Sequence, residues 1–147
     1  MAVNTRFATG VHTLFLLAAE PDIQQTSEEI ADKLNINPVV IRRILSLLRQ
    51  AGLIASQKGP SGGSKLAKSA KTIRLGDIYR ALEPASVLHD SSVSGEDSVK
   101  VRGVLERIFR DAQAALEAEL DSTTLNQLIK RIEKKKRHKE LKSAAGS

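Results

Sequence analysis

Apolar residues recur at helical spacing near the start of the chain. Five of them fall on one face of a helix: Phe7, Val11, Leu14, Phe15 and Ala18. This spacing predicts a first helix that begins after an N-cap at Asn4 or Thr5 and runs to about Ala19. Pro21 follows closely and cannot continue a helix, so the element ends before it.

Two shorter helices are predicted next, each with a recognisable start. The segment Thr26–Glu29 has the pattern of a capping box and predicts a helix over 27–34. Asn37 as N-cap and Pro38 at the first helical position then open a third helix, which should end near Gln50. Its apolar positions predict a buried stripe made of Ile41, Ile44, Leu45 and Leu48.

A glycine-rich hairpin follows the third helix. Leu53–Ser56 is strand-like, Gly59–Gly63 is a turn, and Ser64–Ala67 returns as a second strand. A short helix over Leu75–Glu83 completes this part. Two short helices joined by a tight turn and followed by a hairpin are typical of a winged helix-turn-helix. The predicted fold class is therefore mainly α with a small β-hairpin wing and, after it, a long helix.

The chain divides into four parts on this basis. Residues 1–83 form the winged helix-turn-helix domain, and the Ser-rich stretch 84–98 is a linker. Residues 99–133 hold a long helix and a shorter one. The lysine-rich residues 134–147 have no apolar period, which predicts a frayed or disordered tail. The cations of this tail would either add non-specific DNA affinity or form a solvated helix end.

The long helix carries an apolar seam with alternating spacing of four and three. The candidate dimerisation residues are Val101, Leu105, Ile108, Ala112 and Leu116. Periodicity alone does not separate a dimer seam from an intramolecular bundle, and we weight the two equally. The apolar residues of the last helix, Leu125, Leu128, Ile129 and Ile132, could pack on the partner's domain and extend such an interface.

Charge is distributed unevenly along the chain. Residues 33–76 contain nine Lys or Arg and no Asp or Glu, although the net charge of the whole chain is only +6. Clustered cations of this kind favour phosphate binding, so the expected partner is double-stranded DNA. The candidate contacts are Asn37, Val39, Arg42, Arg43 and Ser46 on the third helix, and Lys58, Ser61 and Lys65 in the hairpin. The alternatives are a solvated basic face, or a winged helix that binds an acidic protein instead of DNA.

Several other classes of protein lack support in the sequence. There is no cysteine, and His12, His89 and His138 are isolated, so we expect neither a metal site nor a catalytic site. The hairpin glycines lack the spacing of a nucleotide-binding loop. No apolar run reaches the length of a membrane span, and no signal peptide is evident. We therefore expect a cytoplasmic protein that is not an enzyme.

Three stretches of the chain carry a resemblance to a known family. Ala51–Ile54, Lys58–Ala67 and Ile73–Glu83 together resemble the BadM-type (Rrf2) family of bacterial winged-helix regulators. The resemblance implies a repressor that binds a palindromic operator as a homodimer held by the long helix. It also implies base contacts at Val39, Arg42 and Arg43, and it places Lys58 where the family often has an arginine at the wing tip.

The largest departure from that family is chemical. Its sensors commonly hold an iron–sulfur cluster through three cysteines in the linker, whereas residues 87–101 contain His89 and acids but no thiol. The chain thus resembles the cysteine-free branch, and iron or redox sensing does not carry over. We expect no cofactor. An effector, either a small molecule or a protein, is possible, but no residue set identifies it.

Overall fold

The computed structural model of the chain describes residues 5–83 and 94–146, and within them it has six helices and two strands. In chain order these are α1 (Arg6–Ala19), α2 (Ser27–Leu34), α3 (Pro38–Gln50), β1 (Ile54–Gln57), β2 (Gly63–Leu66), α4 (Leu75–Leu82), α5 (Glu96–Asp121) and α6 (Leu125–Ala145). The strands form one antiparallel hairpin. The predicted class, mainly helical with a β-hairpin wing, is confirmed. Most of the predicted linker, 84–93, lies outside the described residues.

The starts of α2 and α3 follow from local hydrogen bonds. The Glu29 amide donates to Thr26 Oγ1 at 3.2 Å, and the Thr26 amide donates to Glu29 Oε2 at 2.9 Å, which completes the capping box. The Val39 amide donates to Asn37 Oδ1 at 2.9 Å. Each cap contributes about 1 kcal/mol of stability. Asn35 takes the left-handed conformation that ends α2 and turns the chain into α3.

The core of the winged domain lies between α1, α2, α3 and α4. The predicted stripe of α3, from Ile41 to Leu48, is buried. It meets apolar side chains of the neighbouring elements: Leu14, Leu17, Ile30, Ile73, Ile78 and Leu82. Burying an aliphatic side chain of this kind contributes about 1.5–3 kcal/mol. This packing fixes the outer face of α3 toward solvent.

The wing is fixed to the domain by a third extended segment. Ile54 pairs with Leu66 and Gln57 with Gly63 in the hairpin. On the other side of β2, Gln25 and Ser64 exchange two backbone hydrogen bonds of 3.0 and 2.8 Å. A Cβ on Gly63 would stand only 2.8 Å from the Gln25 carbonyl oxygen, so glycine permits this approach.

The start of α6 packs on the winged domain of its own chain. The Leu125 amide donates to the Ile73 carbonyl at 2.7 Å, and the Leu125 side chain is fully buried in the core. Leu128 and Ile129 pack against the same core. The expectation that these residues pack on a partner's domain was wrong, because the core between α1 and residues 70–75 accommodates them in the same chain. Ile132 is exposed.

The lysine-rich segment is helical. α6 continues without a break to Ala145, so the expectation of a disordered tail over 134–147 is corrected for the residues up to that point. Lys, Arg, Glu, Ala and Leu are all strong helix formers, and no glycine or proline occurs in α6 before Gly146. The side chains from Lys134 to Ala145 are all exposed.

A charged cluster joins α4 to the end of α5. The Arg80 guanidinium donates to Asp121 Oδ1 at 2.7 Å, Asp77 Oδ1 at 3.1 Å and Glu117 Oε1 at 3.4 Å. The hydrogen bonds that Arg80 donates to Asp121 and then to Asp77 raise the Arg80 pKa well above its usual value, against the effect of partial burial. Gly76 leaves room for the Asp121 carboxylate, which a Cβ would meet. The cluster therefore sets the position of α5 relative to the winged domain.

Replacing Arg80 by Ala should lower the free energy of unfolding by about 1–2 kcal/mol, between the values for exposed and buried ion pairs. The substitution removes the cation shared by three half-buried carboxylates, with Arg74 left to pair with Asp77 and, at 4.0 Å, with Asp121. Urea denaturation measures the change. Arg110→Ala, at an exposed arginine of α5, is the matched control and should change stability by less than about 0.5 kcal/mol. Equal effects of the two variants would contradict the assigned role of the cluster.

Candidate nucleic-acid interface

The N-terminal part of α3 exposes one face to solvent, as a recognition helix requires. Val39 is 59% exposed, and the side chains of Arg42 and Arg43 are also exposed. Because Ile41 and Ile44 are buried, the helix presents these three neighbours outward. Asn37 is exposed, but its Oδ1 already accepts the Val39 amide. An exposed apolar residue beside two arginines can contact a thymine methyl and guanine edges in a major groove.

Arg42 is held by an acidic residue of the preceding helix. Arg42 Nη2 donates to Glu28 Oε1 at 3.1 Å, and Ser27 Oγ donates to Glu28 Oε2 at 3.0 Å. The bond from Arg42 is the main reason that the pKa of the Glu28 carboxyl lies below its usual range. Sequence analysis did not identify Glu28 as part of the site. Fourteen residues separate it from Arg42, and only the angle between α2 and α3 brings the two together.

The last turn of α3 is tied to the wing. Arg49 Nη1 donates to Ser56 Oγ at 3.4 Å, and the hydroxyls of Ser56 and Ser64 lie 3.0 Å apart. Ser46 is half-buried and accepts from Gln50 Nε2 at 3.5 Å, so it is less accessible than Arg42. These contacts fix the wing relative to the recognition helix. Arg49 was not among the candidate contacts predicted from the sequence, although it belongs to the same basic stretch.

The wing ends in a tight turn, and the hairpin carries exposed cations. Lys58, Ser61 and Lys65 are all exposed. Gly59 has a φ of 111°, and its carbonyl accepts the Gly62 amide at 2.9 Å. An L-residue rarely adopts that φ, so the turn depends on glycine there. The tip therefore projects Lys58 on a compact, defined loop, and β2 carries Lys65 nearby, as contacts to phosphates require.

A groove of about 390 Å³ joins these parts into one surface. It runs between the start of α2, the face of α3 and the wing. Its polar lining includes Ser27, Glu28, Arg42, Arg49, Ser56 and Gln57. Of the predicted site residues, only Arg42 lines it; Val39, Arg43, Lys58, Ser61 and Lys65 are exposed outside it. The arrangement offers hydrogen-bond donors and positive charge for an anionic polymer.

The long helix leaves its apolar seam uncovered. Within residues 5–83 and 94–146, α5 has no buried side chain. Val101, Val104 and Ile108 are 61%, 64% and 55% exposed. Ala112 and Leu116 are exposed as well, and Leu105 is half-buried. The described helices of a single chain therefore do not cover this seam. They do not form the intramolecular bundle that was the alternative to a dimer.

Comparison with known proteins agrees with this architecture. The Rrf2 family, described as iron-dependent transcriptional regulators, matches residues 3–131. YwnA of Bacillus subtilis, named as an HTH-type transcriptional regulator, is 34% identical over 88% of this chain and 98% of that protein. BadM of Rhodopseudomonas palustris, named in the same way, is 30% identical over 89% of this chain and 83% of that protein. The family and these relatives are transcriptional regulators, not enzymes.

A solved structure shows the same fold. CymR, the global cysteine regulator of B. subtilis, superimposes with a TM-score of 0.65 at 28% identity, covering 89% of this chain and 98% of that one. For the iron dependence of the family, the described residues offer no matching donor set. The sequence contains no cysteine, and the part of the chain that the structure describes has no group of three His, Asp or Glu placed to hold a metal. Residue His89 lies outside the described residues. No described helix is long and apolar enough to cross a membrane.

Proposed function

Because this chain belongs to the Rrf2 family of DNA-binding transcriptional regulators, we propose that it represses transcription by binding a palindromic operator as a homodimer. One observation supports this most strongly. The same chain has an exposed cationic surface on α3 and the wing, and an exposed apolar stripe on α5. The first suits DNA, and the second suits another copy of α5.

The proposed contacts divide into two kinds. Val39, Arg42 and Arg43 lie at the N-terminal end of α3, where a recognition helix meets base edges in the major groove. Lys58 and Lys65 lie on the wing and would bind phosphates or enter the minor groove. Ser46 and Ser61 are neutral neighbours of these groups and would add hydrogen bonds. Asn37 acts chiefly by fixing the first turn of α3.

The homodimer supplies the second half-site. A single winged helix reads few base pairs, whereas two domains related by a two-fold axis read inverted half-sites one helical turn or a multiple apart. The exposed valines of α5, together with Ile108, offer the apolar seam for this pairing. Repression then needs only occupation of an operator that overlaps a promoter. The effector that would release the operator stays a prediction without an assigned site.

Arg42→Ala and Lys58→Ala should affect DNA binding differently. Loss of an arginine that contacts guanine weakens the free energy of operator binding by about 1–3 kcal/mol and relaxes sequence preference. Loss of a phosphate-binding lysine weakens binding to all sequences and reduces the salt slope by about 0.9. Fluorescence anisotropy at several salt concentrations measures both quantities.

The DNA for this experiment is an operator selected from genomic fragments, with a scrambled duplex as the non-specific reference. If both variants bind operator and scrambled DNA as the parent does, the docking of α3 and the wing is wrong. Weak, salt-dependent affinity of the parent for every DNA tested would favour the alternative, a winged helix that binds an acidic protein.

A further inference from the structure

One arginine of the recognition helix α3, Arg42, already forms an ion pair with an acidic residue. Glu28 projects from the first turn of α2 into the groove beside the wing, where it accepts a hydrogen bond from Arg42. Both side chains are more than half exposed. We propose that Glu28 is a positioning residue that sets the DNA specificity of Arg42. This inference rests on the proposed function, since it concerns how the same surface distinguishes operator from other DNA.

The geometry gives Glu28 a different effect on the two kinds of DNA. A guanidinium has five N–H donors, and the bond to Glu28 uses one of them, on Nη2. The other donors remain able to form a bidentate pair with guanine, with the carboxylate holding the fork in place. On non-specific DNA there is no such guanine contact. Arg42 then stays neutralised by Glu28 and contributes little to phosphate binding.

The Glu28 carboxylate thus acts mainly on binding to non-operator DNA. By pairing with Arg42, it removes one positive charge from a surface that otherwise binds any duplex through its cations. An exposed ion pair is weak enough for a correct base contact to compete with it. Glu28 therefore lowers non-specific affinity more than operator affinity.

The contact of Glu28 with Arg42 is not required by the cap of α2. The capping box of α2 uses Thr26 and Glu29, and Glu28 takes no part in it. Glu29 lies next to Glu28, carries the same charge, and forms no ion pair with Arg42. Glutamine at position 29 can keep the capping box. Glu29→Gln is therefore a matched control that removes one charge from the same turn.

The test measures the affinities of the parent, Glu28→Gln and Glu29→Gln for selected operator and scrambled duplexes across a range of salt. Glu28→Gln should lower the ratio of operator to scrambled affinity about two- to fivefold, as expected for loss of an exposed pair. Its salt slope on scrambled DNA should become steeper by about 0.9, because Arg42 becomes available to a phosphate. Glu29→Gln should leave the ratio unchanged.

A double-mutant cycle with Arg42→Ala separates positioning from plain repulsion. In the Arg42→Ala background, Glu28→Gln should no longer change the ratio. An unchanged ratio for Glu28→Gln, equal changes for Glu28→Gln and Glu29→Gln, or an effect that persists without Arg42 would each overturn the inference. If the parent protein does not prefer any operator over scrambled DNA, the proposed function is contradicted instead. That result comes from the parent protein alone and does not depend on the variants.

Discussion

Replacing Ile108 by Glu should convert the proposed dimer to a monomer and lower operator affinity at least about 100-fold, the usual size of a lost second binding event. Ile108 is 55% exposed in the single chain, so the charge costs little in the folded monomer. In a dimer seam the carboxylate would be buried against apolar residues of the other α5 without a partner, which is strongly unfavourable. Light scattering after size exclusion gives the mass, and anisotropy gives the affinity.

Ala114→Glu is the matched control for that experiment. Ala114 is exposed on the same helix, about a third of a turn round the axis from Ile108. Ala114→Glu should leave both the mass and the operator affinity unchanged. That result would show that an added charge on α5 is not itself the cause of the losses seen with Ile108→Glu. A dimer that survives Ile108→Glu would show that the seam through Val101, Leu105 and Ala112 is not the interface.

Leu125→Ala should lower the free energy of unfolding by about 2–5 kcal/mol, the usual cost of truncating a fully buried leucine. Leu125 is fully buried where the start of α6 meets residues 70–75. The smaller side chain would leave a cavity in the joint between the winged domain and the C-terminal helices. Urea denaturation measures the loss. Leu141→Ala, at a leucine that is 70% exposed on α6, should cost less than about 0.5 kcal/mol.

The same variant tests whether this joint lies within one chain. If Leu125 packs in its own chain, the destabilisation should persist when the parent and variant are compared in an Ile108→Glu background. If it packs on a partner, the loss should vanish in the monomer, because the contact would already be absent. That second result would contradict the packing described here.

Local signals account for the elements that sequence analysis placed well. The starts of α2 and α3 depend on groups within three residues of each other, such as Thr26 with Glu29 and Asn37 with Val39. A capping box, an Asn-Pro start and a glycine turn can all be recognised in a single sequence. The apolar period of α3 then determines which face is buried and leaves Arg42 and Arg43 outward.

Long-range geometry accounts for what sequence analysis missed. The ion pair between Arg42 and Glu28 depends on the crossing of α2 and α3. Glu28 also lies just outside the basic stretch 33–76, which contains the candidate contacts. Likewise, Leu125 has the same apolar character whether it packs in its own chain or on a partner. Its burial in the core, with the backbone hydrogen bonds that join Leu125 to Ile73 and Asn126 to Ala70, places it in the same chain. The basic tail has no apolar period, which predicted disorder, but its helix formers favour a continuous α6.

Selection of DNA from a random library by the purified chain, followed by sequencing, tests the central claim most directly. Two winged helices joined through α5 predict an enriched motif with inverted half-sites whose centres lie one helical turn or a multiple apart. Enrichment of a single asymmetric half-site would contradict the dimeric arrangement. Absence of any enriched motif at low salt would contradict sequence-specific binding through α3 and the wing.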